Sequence, residues 1–394
     1  GLQSDEKSGA ALGQERRMSR ITKRQFLAAT GVTIVGAAAA GYALLGPKPA
    51  PIGISATAEE LAHARAFLAK YPSIDAHAHP GRTFMRGAEN VSGKVYLGTL
   101  IGAFEADTVR DMNEGGLTAA AFAAVSDFQT LGFQGEGLAA VRPFEPGEAL
   151  QSYKRQIANL KAFIQGGLVY PITTQADFEL ARKSGKPGAF LTVEGGDFLD
   201  GKPERIADAH ADGVRSITLL HYRNNELGDI ITGEPVHGGL SDAGVAVVRA
   251  MNEVGMLIDV AHASESTAFG IIKTSTRPVI ASHVHIRDGK AGHPRFITRD
   301  LAKAIAETGG GVLGAWPAGI GIASLGEYVQ RMLDLVEAVG INHVCMGTDM
   351  DANYKPVFDT YAKLPHLVVG LRQKGLHDDE IAKLIGGNFL RIFG

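Results

Sequence analysis

The chain has 394 residues, 45% of them hydrophobic and 21% charged, with a formal charge of −3. That composition supports a folded domain with an ample core and gives no bulk electrostatic pull toward nucleic acid. One cysteine excludes an intramolecular disulfide framework and any multi-cysteine metal cluster, whereas thirteen histidines invite a search for imidazole sites.

Residues 1–50 are expected to form an N-terminal extension ahead of a catalytic domain over 51–394. Ser19-Arg20-Ile21-Thr22-Lys23-Arg24-Gln25-Phe26-Leu27 resembles a twin-arginine export signal, with Lys23 in place of the first arginine. An Ala/Gly-rich apolar stretch follows to Leu45, and Pro47-Lys48-Pro49-Ala50-Pro51 reads as a linker. Export to a bacterial periplasm is expected, either as a cleaved leader or as an N-terminal anchor at the outer face of the cytoplasmic membrane.

A capping box, Thr57 to Glu60, opens a helix running to about Lys70. Ser73 to Ala76 reads as a short strand leading into His77-Ala78-His79-Pro80-Gly81. Residues i and i+2 of an extended segment face the same side, so both imidazoles can address one point. Residues 82–117 read as a long connection with one helix around Asp107 to Glu114. Seven further short apolar runs follow: Thr118 to Val125, Ala189 to Val193, Val214 to Leu220, Met256 to Val260, Pro278 to Ala281, Gly311 to Trp316 and His343 to Gly347. Helical patterns lie between most of them. Eight strands alternating with helices predict an α/β fold, a single (β/α)8 TIM-type barrel.

Such barrels place their chemistry at the C-terminal ends of the strands. His77 and His79 follow the first strand, Glu194 the third, His221 the fourth, His262 the fifth, His283 the sixth and Asp349 the eighth. Five of these, His77, His79, Glu194, His262 and His283, suit two divalent metal ions sharing one carboxylate. Glu194 is the expected bridge, with His77 and His79 on one ion and His262 and His283 on the other. Nitrogen and oxygen donors without thiolate point to zinc, with iron or manganese as alternatives. Asp349 is the expected acid/base, and His221 the expected hydrogen-bond donor to the scissile carbonyl. Arg295, in the loop after the sixth strand, is the expected partner of a substrate carboxylate.

The stretches Val193-Glu194-Gly195-Gly196, Gly238 to Gly244, Met251 to His262, Pro278 to His283, Gly347 to Asp351 and Gly386 to Arg391 resemble the membrane (renal) dipeptidase family of zinc peptidases. That family lies among the amidohydrolase-like metal-dependent barrels. The resemblance implies hydrolysis of dipeptides by a metal-bridging hydroxide, with tolerance of a D-residue at the C-terminal position, and pairing into a homodimer. It matches His77, Glu194, His262 and His283 to metal ligands, and His221, Arg295 and Asp349 to the carbonyl, carboxylate and proton-handling positions. Two positions depart from the family's pattern: His79 stands where the family has Asp, and Phe296 where it commonly has Asn. The first keeps a ligand but removes a negative charge, so a metal amidohydrolase or lactonase with a non-peptide substrate is the alternative expectation. A barrel that only binds peptide or metal is the third, and Asp349 argues against it.

Overall fold

In the computed structural model, residues 48–135, 137–287 and 292–394 are described, and those from Pro49 onward form one compact unit. The expected leader and the apolar stretch to Leu45 lie outside the described residues. Among the described residues no helix is long and apolar enough to cross a membrane.

All eight expected strands form. They are β1 (Ile74–Asp75), β2 (Ala119–Val125), β3 (Gly188–Glu194), β4 (Val214–Thr218), β5 (Leu257–Asp259), β6 (Val279–Val284), β7 (Val312–Ala315) and β8 (Val344–Met346). Each pairs in parallel with its neighbours in chain order, and Asp75 opposite Met346 closes β8 onto β1. The result is the expected closed barrel. A short extra strand, Tyr170–Pro171, pairs beside the start of β3.

Side-chain alternation sorts the barrel interior into layers. At its lower end Phe190 of β3 stacks against Phe389 and meets Phe393 edge-on, so the C-terminal segment plugs the barrel with aromatic rings. Four residues further along the same face, Glu194 emerges at the upper end. Between plug and rim lie two buried carboxylates. Asp259 accepts from the Thr218 and Ser282 hydroxyls, 2.6 and 2.5 Å away, and from two backbone N–H groups. Asp75 accepts from the Tyr361 hydroxyl at 2.7 Å and from Thr348 and His77. Satisfied buried carboxylates of this kind lock neighbouring strands together.

The helices start and stop where local chemistry requires. Thr57 and Glu60 form the expected reciprocal cap of Ala58–Lys70. Ser241 caps Asp242–Val254, which ends on left-handed Gly255. Ser324 caps Leu325–Val339, but the return bond from Glu327 reaches Ala323 N rather than Ser324 N.

Several elements escape the sequence reading, among them the helices Gln175–Ser184 and Leu364–Gln373 and two that lie beside the site. Gly93–Ile101 is a helix inside the expected connection, and Leu131–Gln134 pairs with Gly137–Ala140 as a hairpin. The helix shows no apolar stripe because Tyr96, Leu97 and Leu100 are exposed, and periodicity is what a sequence reading detects. The hairpin is short and rich in glycine, which weakens any strand signal.

Candidate metal centre

The regular part of β1 ends at Asp75, two residues before the first site histidine. The following backbone nevertheless stays pinned between β2 and β8: Ala123 N donates to Ala78 O at 3.0 Å and Asp349 N to His77 O at 2.8 Å. His77 and His79 therefore still converge, with ring centroids 5.0 Å apart. At the end of β3, Gly195 turns the chain at φ 95°, and a Cβ there would come within 2.8 Å of Asp197 Oδ2. Only glycine fits that turn without strain. His262 and Asp349 also adopt left-handed backbone, φ 66° and 59°. Such positions cost on the order of 1–3 kcal/mol each and concentrate at functional sites.

Around Glu194, itself 2% exposed, five imidazoles close in. Oε1 lies 3.0 Å from His262 Nε2 and 3.4 Å from both His77 Nε2 and His283 Nε2; Oε2 lies 3.2 Å from His79 Nε2 and 3.4 Å from His221 Nε2. Asp349 Oδ1 is 3.4 Å from His79 Nε2 and 3.7 Å from His77 Nε2. Two groups of possible metal donors share Glu194. One is His77, His79, Glu194 and Asp349; the other is Glu194, His262 and His283. The structure thus places His77 beside His79 and His262 beside His283, with Asp349 within ligand reach of the first pair; a third possible group, His77, Asp259 and His283, takes one histidine from each.

Tautomers decide whether a cation fits. His79 Nδ1 faces Ala123 O at 3.3 Å, and a carbonyl can only accept, so Nδ1 carries the proton. Ser282 Oγ donates to Asp259, so it accepts from His283 Nδ1 at 2.9 Å. In the neutral form both rings then turn an Nε2 lone pair toward carboxylate oxygen, an arrangement that requires positive charge between the atoms. His77 Nε2 and Glu194 Oε1 have no hydrogen-bond partner. Burial first, then the Arg295 charge, holds His262 well below the ordinary imidazole range; burial and the His77 charge do the same to His283. Both are therefore neutral, the ligating form. Burial would also lower His79, but its bonds to Asp349 and Glu194 outweigh that and lift it to about 10. Burial opposes ionisation of Glu194, yet the charges of His221 and His77 and the close approach of the His262 and His77 rings keep its carboxyl well below the usual range. This donor set fits divalent metal.

His221 belongs to neither cluster. Its Nδ1 bonds Asp127 Oδ1 at 2.6 Å, and Asp127 Oδ2 also accepts from Tyr222 N at 3.0 Å. Burial would depress the His221 pKa, but the Asp127 and Glu194 charges overcome it and raise it. Asp127 was within reach of the sequence reading: Ser126-Asp127 follows the second strand as Glu194 ends the third. Asp259 carried a comparable signal, a carboxylate inside a buried apolar run.

Arg295 is 3% exposed. One Nη2 lies 3.1 Å from His262 Nε2, the guanidinium sits 5.0 Å over the Trp316 ring, and Nε and Nη1 have no partner. Trp316 is thus a wall of the site. Phe296 packs away from it, with Trp316 and Ala318. Asp351 accepts from Gly81 N and Thr108 Oγ1, so it clamps a loop. One cavity of about 480 Å3 joins Glu194, His221, Asp349 and Arg295 to a largely apolar extension.

A family model, Membrane dipeptidase (Peptidase family M19), matches residues 61–394. The chain belongs to the membrane dipeptidase family. Among curated members, dipeptidase verJ of Clonostachys rogersoniana is 30% identical over 216 residues, covering 53% of this chain and 55% of that protein. Dipeptidase aclJ of Aspergillus oryzae is 29% identical over 271 residues, covering 65% and 64%. The chain thus spans about half to two-thirds of the curated relatives it matches. Among solved structures, a metallo peptidase from Rhodobacter sphaeroides, liganded with a phosphinate mimic of the dipeptide L-Ala-D-Ala, aligns at TM-score 0.68. It is 21% identical, and the alignment covers 82% of this chain and 98% of that one. The probable dipeptidase PvdM from Pseudomonas aeruginosa aligns at TM-score 0.68 with 20% identity, covering 85% and 98%. The membrane dipeptidase fold is therefore shared over nearly the whole length of those structures.

Proposed function

We propose that this protein hydrolyses the amide bond of dipeptides, including those with a D-residue at the C-terminal position, with two divalent ions, zinc by donor type, held by His77, His79, Glu194, His262 and His283. The observation that carries the reading is Glu194, one buried carboxylate shared by two clusters of imidazoles that face it with ligating nitrogens. Ions bound there supply Lewis acidity and make water a nucleophile at neutral pH.

The protein's own groups supply the rest. Arg295 offers two unpartnered nitrogen donors, Nε and Nη1, to a substrate carboxylate and fixes that end of the molecule. His221, held by Asp127, points Nε2 across the site to donate to the scissile carbonyl as its oxygen gains charge. Asp349, at the open side of the cluster, moves a proton from the attacking water toward the leaving amine. Metal analysis with turnover on L-Xaa-D-Ala and L-Xaa-L-Xaa dipeptides tests the reading. Absence of bound metal, or metal without dipeptide cleavage, would refute it.

Two results follow from these roles. Arg295→Ala is expected to raise KM for substrates with a free carboxylate by about 10–100-fold, the worth of one charged hydrogen-bonded contact. Amidated analogues should be unaffected, and an equal loss on them would count against the pairing. Asp127→Asn is expected to lower kcat on the order of 10–100-fold, as for other groups that orient a site histidine. Because the Asp127 charge raises the His221 pKa, the cationic donor persists at low pH and is lost as pH climbs through that raised value. In the variant the loss begins at lower pH, so the alkaline limb of the kcat profile shifts downward. An unshifted limb would remove Asp127 from the mechanism.

A further inference from the structure

We infer that the preferred substrate is an N-acylated amino acid, with a free carboxylate at one end and a bulky, uncharged apolar acyl group at the other. The inference rests on the amide hydrolysis proposed above and names its substrate class.

The cavity has two unlike ends. At one, Arg295 offers its guanidinium N–H groups beside Trp316. At the other, Phe84, Val125, Phe128, Leu131, Phe133 and Leu138 make an apolar arm. The arm grows out of the site itself. Phe84 lies in the turn of 3-10 helix after His79, its ring 5.3 Å from that imidazole and 5.0 Å from Phe128. Val125 ends β2 just before Asp127, and the hairpin that follows sets Phe133 opposite Leu138. A group attached to the carbonyl at His221 therefore has an apolar surface to enter.

A dipeptide would bring an ammonium to that region, and its charge would need a carboxylate. Among the described residues three carboxylates line the cavity, Glu194, Asp349 and Asp351. Glu194 is enclosed by five imidazoles, and Asp349 Oδ1 is shared by His77 and His79. Asp351 Oδ2 already accepts from Gly81 N at 2.8 Å and Thr108 Oγ1 at 2.7 Å. Among the described residues the other charges along the arm are positive: Arg82 and Lys94 line it, with Lys94 Nζ 5.9 Å over the Phe133 ring. An ammonium would meet apolar surface and like charge. An acyl chain meets the apolar wall of Phe84, Val125, Phe128, Leu131, Phe133 and Leu138, each buried methylene strengthening binding by up to about fourfold. The volume of about 480 Å3 is in the range of pockets that enclose ligands larger than two small residues.

The reaction balances as simple hydrolysis. The amide C–N bond breaks, the acyl carbon gains the oxygen of water and the nitrogen gains a proton, releasing a carboxylic acid and a free amino acid.

Steady-state kinetics of the metal-loaded protein test the inference, using N-acetyl-, N-butanoyl-, N-hexanoyl- and N-octanoyl-alanine beside alanyl-alanine and phenylalanyl-alanine, each with L- and D-alanine. We expect kcat/KM to rise at least about twofold per methylene, with the octanoyl compound exceeding phenylalanyl-alanine by tenfold or more. Phe133→Glu, at a half-exposed position, should raise KM for the octanoyl compound at least fivefold with kcat retained. A flat chain-length series, faster cleavage of the dipeptides, or an octanoyl KM unmoved by Phe133→Glu would each overturn this inference and leave the proposed amide hydrolysis standing. Cleavage of neither class would remove both.

Discussion

Glu194→Gln should strip the protein of bound divalent metal and lower kcat/KM by at least about 10^3-fold, several kcal/mol of transition-state stabilisation. The wild-type carboxylate places one oxygen among His77, His262 and His283 and the other against His79 and His221, all within 3.4 Å. Glutamine preserves the shape but leaves one acceptor oxygen, puts an NH2 donor in place of the other, and removes the only negative charge common to both clusters. The His262 and His283 cluster would then lack any anionic ligand and the His77 and His79 cluster would keep only Asp349, at a low local dielectric where an uncompensated charge is costly. Metal content after dialysis, read beside kcat/KM, checks the result. A variant that holds its full metal and keeps a tenth of wild-type activity would refute the shared-carboxylate assignment. Glu194→Asp, which keeps the charge but retracts it by one methylene, should fall between the two.

The barrel and most of this site were legible in the sequence for one physical reason: buried parallel strands are continuous apolar runs, so a polar residue at a strand end stands out. His77, His79, Glu194, His262, His283 and Asp349 all announce themselves this way, and the structure brings all six together. His77 and His79 lie beyond the regular strand, where the chain bends at Ala76 and His77, and they still converge because backbone bonds to β2 and to the segment after β8 hold it in place. What stayed hidden lacks a one-dimensional signature. Asp127 stands at a strand end like the others, but its pairing with His221, 94 residues away, is a contact that no local spacing reports. The apolar arm needs a hairpin and Phe84 to meet in space, and single apolar side chains in a connection look the same whether they line a pocket or fill a core. Arg295 was found as a residue, but its burial over Trp316 emerges only once β6 and β7 are adjacent.

Asp349→Asn carries the other large expectation: kcat lower by about 10^2–10^4-fold, the range for loss of a positioned acid/base, with KM changed by no more than a few-fold. Asparagine is nearly isosteric with aspartate but cannot carry a proton between water and a leaving amine. The backbone makes this substitution unusually clean. Asp349 sits at φ 59° with its N–H bonded to His77 O, and asparagine is among the few residues that tolerate left-handed backbone. Alanine at this position would add strain to the loss of function; asparagine does not. Because Asp349 Oδ1 also lies within ligand reach beside His77 and His79, the variant should bind metal more weakly, so kcat must be read at saturating metal. A deficit that vanishes there would make Asp349 a ligand alone. A deficit that persists while KM and metal content hold identifies it as the group that moves the proton.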